Sequence, residues 1–136
     1  MPWETTREGE RARGKMLRLI RDYHDAHGYA PSFRDLGDGV RLSPGTVTYH
    51  LQRLQLAGLV AWDEGIARSL RLTDAGRELA TLALETIIRE LPRREAEARK
   101  AREERERVER EARDAAMWAR VRAAVAGEAR QSGPPT

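Results

Sequence analysis

The residues best suited to chemistry sit in one short stretch, Ser43-Pro44-Gly45-Thr46-Val47-Thr48-Tyr49-His50-Leu51-Gln52-Arg53. Val47, Leu51 and Leu54 recur at spacings of four and three, so on a helix they point inward together. At about 100° per residue the opposite side then carries Gly45, Thr46, Thr48, Tyr49, Gln52 and Arg53. Hydroxyl, amide and cationic groups on one exposed helix face are the donors and acceptors that base edges and phosphates require. No Asp or Glu falls between Asp38 and Asp63, so this window presents Arg41, His50, Gln52, Arg53 and Gln55 with no opposing acid in the local sequence. The alternative is a merely solvated face on a domain that touches protein.

Other candidate chemistry is thinner. His24 and His27 lie at i and i+3, yet no third ligand stands at a recognisable spacing, so no metal is expected. No Ser/His/Asp or paired-carboxylate arrangement stands out, so neither an enzyme nor a cofactor is expected. The 136 residues contain no cysteine, which removes disulfides and thiolate chemistry. The net charge is only +3, so the distribution of charge carries the argument rather than its sum. No apolar run is long enough to span a membrane, and the start Met1-Pro2-Trp3-Glu4-Thr5-Thr6 lacks a signal-peptide pattern, which points to the cytoplasm and the nucleoid.

The elements that must hold the face follow from caps and periodicity. Residues 1–9 are a polar lead-in, and a first helix runs from about Gly9 to His27, burying Met16, Leu17, Ile20 and Tyr23 and stopping at Gly28. Ser32 caps a second helix, with Asp35 placed to reach back as in a capping box. Ser43 caps the third, where Pro44 sits at the first helical position, and this helix ends near Ala57-Gly58. Leu59-Val60-Ala61-Trp62 and Arg68-Ser69-Leu70-Arg71-Leu72 flank a Gly-containing turn and predict a β-hairpin, with Trp62 packing it onto the core. The expected fold is therefore mainly α with a small β-hairpin wing: a winged helix-turn-helix over residues 10–73. In this arrangement the third helix enters a major groove and the hairpin lies along the sugar-phosphates.

Beyond the wing, Thr73-Asp74 caps a helix expected to run unbroken to Leu91. Leu79, Ala83 and Ile87 on it would dock on the domain, while Leu84, Ile88 and Leu91 would face water and form a homodimer interface. From Pro92 to about residue 126 follows a charged helical extension, either solvated or coiled-coil, and 127–136 is a tail. Its pairs Glu95/Arg99, Glu103/Arg107, Glu106/Arg110 and Glu109/Arg113 have the favourable i,i+4 order. Met117, Trp118, Val121, Ala124 and Val125 are its one substantial contact patch, for dimerisation or for a protein partner.

Three segments carry a resemblance. Gly28-Tyr29-Ala30-Pro31-Ser32-Phe33-Arg34-Asp35-Leu36, then Ser43 to Leu51 with Leu54 to Val60, and finally Gly65 to Leu72, resemble the DNA-binding domain of LexA-type repressors, over roughly residues 13–72. The resemblance implies double-stranded DNA as the partner and assigns base reading to Ser43, Gly45, Thr46, Thr48 and Tyr49, with a wing contact from Arg68. Gln52 and Arg53 join them from the helix periodicity, and Arg53 and Arg68 are expected to meet phosphate. Two departures stand out. The loop between Val40 and Ser43 is one residue shorter, with Arg41 where the family has its turn glycine. After Leu72 the chain turns helical and charged, with no serine-lysine protease region; Leu72-Thr73-Asp74-Ala75-Gly76-Arg77-Glu78-Leu79 is instead similar to the strand-to-helix exit of MarR- and PadR-like regulators. Only the DNA-binding mode is therefore implied, which leads to a sequence-specific transcriptional regulator, expected to repress. A plasmid or phage replication or maintenance factor and a protein-interaction adaptor are the alternatives.

Overall fold

The computed structural model describes residues 7–131. Its elements run α1 (Arg7–His27), α2 (Phe33–Val40), α3 (Pro44–Leu56), β1 (Val60–Ala61), β2 (Arg71–Leu72), α4 (Asp74–Ala80) and α5 (Leu84–Gln131). The chain divides into two compact units, one up to Arg99 and one from Lys100.

In the first unit, local chemistry explains where each helix begins. Ser32 accepts the Asp35 backbone N–H at 3.0 Å while the Asp35 carboxylate accepts the Ser32 N–H at 2.9 Å, a reciprocal capping box. Ser43 accepts from the Thr46 N–H, with Pro44 in the first turn of α3. Arg41, standing where a turn glycine would serve, adopts the left-handed conformation at φ 59° and closes α2 onto Gly37. Three helices so defined bury Met16, Leu17 and Ile20 from α1, Leu36 from α2, and Val47, Leu51 and Leu54 from α3 in a common core. Each such side chain contributes roughly 1.5–3 kcal/mol on burial.

The hairpin is shorter than expected. Only Val60 with Leu72 and Ala61 with Arg71 pair, in antiparallel register. The rest of the wing is held by side chains: Ser69 Oγ accepts the Asp63 N–H at 2.9 Å, and Trp62 packs edge-on against Phe33 with ring centroids 5.4 Å apart. Trp62 thus fastens the wing to α2, as the sequence predicts.

The region after the wing corrects the sequence reading. The helix expected over 74–91 is two helices, α4 and α5, separated at Thr81, Leu82 and Ala83. The Thr81 hydroxyl donates to the Glu78 carbonyl at 2.7 Å, and the Leu82 N–H bonds Leu79 one turn back, which tightens and ends α4. The change of direction lets both helices bury their apolar residues in the same core. Leu91 is 0% and Ile88 5% exposed, and Leu84 is half-buried. Leu84, Ile87 and Ile88 lie against Gly14 of α1, where an added Cβ would meet the first two at 3.2 and 3.3 Å. Ile88, against Gly14 of α1, and Leu91, in the common core, are therefore covered within the chain rather than facing water, and Leu84 is partly covered. Ala83, expected to dock, is exposed.

Pro92 likewise marks no boundary, since α5 continues through it. An interior proline costs about 3 kcal/mol in an isolated helix. Here Leu91 on one side is buried and Glu95 on the other is bound by two arginines, which hold the helix on course.

The second unit is the continuation of α5 from Lys100. Met117, Trp118, Val121 and Val125 are all exposed along it, and Arg107 pairs with Glu104 rather than with Glu103. No helix among the described residues is long and apolar enough to cross a membrane.

Candidate nucleic-acid interface

The third helix presents the face that its periodicity predicts. Val47, Leu51 and Leu54 are fully buried, which turns the other side outward. Ser43, Pro44, Gly45 and Gln52 are exposed, and Thr46, Thr48, Tyr49 and Arg53 are half-buried. The Ser43 and Thr46 hydroxyls lie 2.9 Å apart and share a hydrogen bond at the helix start. With no acid in its first turn, α3 ends in backbone N–H groups and hydroxyls that suit phosphate or base acceptors.

Two arginines expected on phosphate have partners inside the fold. Arg68, in the left-handed region at φ 58°, donates to the Ala30 carbonyl at 3.0 Å and lies 3.4 Å from the Asp35 carboxylate, with its guanidinium 4.8 Å from the Tyr29 ring centre. Tyr23, then Asp35, hold its pKa above the ordinary arginine value. Its role in the fold is to tie the wing to the start of α2. Arg53 is paired through Nη2 with the Glu95 carboxylate at 2.6 Å.

Glu95 was beyond the reach of local reasoning, which matched it with Arg99 four residues on. In the fold it reaches Arg53 and also Arg13 Nε, at 2.8 Å. Arg13 is fully buried and donates through Nη1 to His50 Nδ1 at 3.2 Å. A guanidinium has no acceptor, so His50 must be the neutral acceptor in this contact. Burial, followed by the neighbouring Arg13 and Arg53 charges, pushes the His50 pKa down to about 4. Burial also lowers the pKa of Arg13, an effect opposed by Glu95. The sequence did hold a signal for Arg13: it is three and four residues before Met16 and Leu17, on the stripe that α1 buries. His50, one residue before Leu51, is fully buried.

His24 and His27 are both exposed, and His27 stacks near Tyr23 with ring centres 4.2 Å apart. Among the described residues no three His, Asp or Glu side chains converge as metal ligands would.

The capped α2, the short turn through Arg41, the outward face of α3 and the tethered wing together define a winged helix-turn-helix. Residues 10–69 match the family model of the LexA DNA binding domain. Over 65 residues the chain is 42% identical to the LexA repressor of Lacticaseibacillus casei, a match covering 47% of this chain and 31% of the relative. LexA repressor 1 of Nocardia farcinica is 42% identical over 57 residues, covering 41% and 26% of the two chains. The LexA repressor of Geobacter metallireducens is 32% identical over 77 residues, covering 55% and 38%. The chain thus spans about a third of the length of the curated relatives it matches. The LexA-like segment contains α2, α3 and the wing turn, whereas Glu95 lies outside it.

Proposed function

We propose that this protein is a sequence-specific double-stranded DNA-binding repressor of transcription, working on the nucleoid in the cytoplasm and reading the major groove with α3. The observation that carries the reading is the outward face of α3, free of acid along the helix itself, within the LexA-like segment. Thr48, Tyr49 and Gln52 read base edges, Ser43, Gly45 and Thr46 bring the helix start close to the duplex, and Arg68 positions the wing. Thr48 and Tyr49 are off the buried stripe, so replacing them leaves the core intact. The double variant Thr48→Ala, Tyr49→Ala is expected to lose specific binding by about 1–3 kcal/mol per base contact while keeping its affinity for random duplexes. Fluorescence anisotropy on a site selected from random duplexes measures this. Undiminished affinity for that site removes α3 as the reader, and failure of the wild-type chain to enrich any duplex favours an adaptor that binds protein.

The repressor acts as a homodimer in this reading. A single small domain covers little DNA, whereas two linked copies gain from effective concentration. The surface proposed for pairing is the stripe of Met117, Trp118, Val121 and Val125, with Trp118 56% exposed. A symmetric copy is the commonest cover for such a stripe. Trp118→Glu with Val121→Glu is expected to sediment as a monomer and bind the selected site about 10²-fold more weakly. A wild-type chain that sediments as a monomer excludes the interface.

A further inference from the structure

We infer that Glu95 is a positioning residue of the DNA-binding face, which withholds Arg53 from phosphate and fixes the base of α3. The inference rests on the DNA-binding reading and concerns a residue outside the LexA-like segment.

The geometry is specific. Arg53 lies beside Tyr49 on the flank of the outward face of α3, where its cation would ordinarily be counted as a phosphate contact. The Glu95 side chain, only 12% exposed, spans the gap between two arginines, with Oε1 on Arg13 at 2.8 Å and Oε2 on Arg53 at 2.6 Å. Arg13 is immobile, because it is fully buried and also bonded to His50 on α3. The carboxylate is therefore anchored on the buried side, and Arg53 is drawn toward it and away from solvent. Arg13 and Arg53 share one acid, so the cluster retains a positive field at the flank of α3 while its outer cation is held in one place. An ion pair of this kind, partly buried and anchored at one end, is screened far less than a surface pair. Binding phosphate through Arg53 would require breaking it, leaving a carboxylate near the backbone of the DNA.

Salt dependence distinguishes this role from simple support of the fold, because each phosphate contact contributes about 0.9 to the slope of log affinity against log salt. Three full-length variants, Arg53→Gln, Glu95→Gln and the double variant, are titrated with a random-sequence duplex across a range of salt. Arg53→Gln is expected to leave the slope as in wild type. Glu95→Gln is expected to steepen it by about 0.9 and raise random-duplex affinity roughly three- to tenfold. The double variant is expected to return the slope to wild type. A slope that flattens by about 0.9 in Arg53→Gln overturns the inference, since Arg53 would already be on phosphate. An unchanged slope in Glu95→Gln overturns it as well. Arg53→Gln keeps the Arg13–Glu95 contact, so it can still overturn the inference even if Glu95→Gln fails to fold. A wild-type chain that binds no duplex ends the DNA reading and this role with it. Urea denaturation of the same four proteins then tells the two failures apart: non-additive shifts show that the Arg53–Glu95 pair exists in solution, and additive shifts remove the pair itself.

Discussion

Gly76→Ala is expected to unfold the first unit or leave it barely stable. A Cβ at this position would lie 1.9 Å from the Leu59 carbonyl oxygen and 2.8 Å from its carbon, both backbone atoms that cannot swing aside. The contact exists because α4 is stitched to the start of β1. Thr73 Oγ1 donates to the Gly58 carbonyl at 2.6 Å and accepts the Gly76 N–H at 3.1 Å, and the Thr73 N–H reaches the Leu59 carbonyl at 3.0 Å. Relief of the clash must break these bonds or pull Leu79 and Ala80 out of the core. The cost is on the order of 4 kcal/mol or more, against a total stability of roughly 5–15 kcal/mol for a domain. Alanine's helix propensity returns only about 1 kcal/mol. Urea denaturation measures the difference, with Gly127→Ala as the companion variant. That glycine faces open space, so alanine there should add helix without harm. A Gly76→Ala protein as stable as wild type refutes the close approach.

The second large effect is on stability against pH. His50 is neutral in the folded protein down to about pH 4, whereas its ordinary value is 6.5. Between these values the unfolded chain takes up a proton that the folded chain refuses, so the His50 contribution to stability falls as pH drops from about 6.5 to 4 and levels off below. A shift of this size corresponds to roughly 3 kcal/mol, full at neutral pH and lost by the lower end of the window. Protonation of His50 would set an imidazolium against Arg13, with the Arg53 charge nearby as well. Asp35 acts in the same direction at still lower pH, because the Ser32 backbone N–H holds its carboxyl below the ordinary value. His50→Asn keeps an acceptor for Arg13 but cannot titrate. Its melting temperature should change much less than that of wild type between pH 7 and about pH 4.5. Parallel pH profiles for the two proteins would show that His50 is not the responsible group.

What could be read from the chain alone was whatever depends on neighbours three or four residues apart. The Ser32–Asp35 box, the Ser43-Pro44 start and the Thr73 cap are hydrogen bonds within one turn, so residue types and spacing sufficed. The faces of α3 were legible for the same reason, since Val47, Leu51 and Leu54 repeat with the helix. Tertiary structure decided the rest. Residues 79–91 are apolar on more than one side, so periodicity gave no single buried face. Only the turn at Thr81, which sets α5 against Gly14 of α1, shows that Ile88 and Leu91 are buried and Leu84 half-buried within one chain. Charge behaved likewise. The window from Asp38 to Asp63 has no acid in sequence, yet the fold brings Glu95 to Arg53 across 42 positions. Coulomb attraction depends on distance in space, and in a buried setting it favours anchored arginines over the exposed Arg99 that the i,i+4 spacing offers.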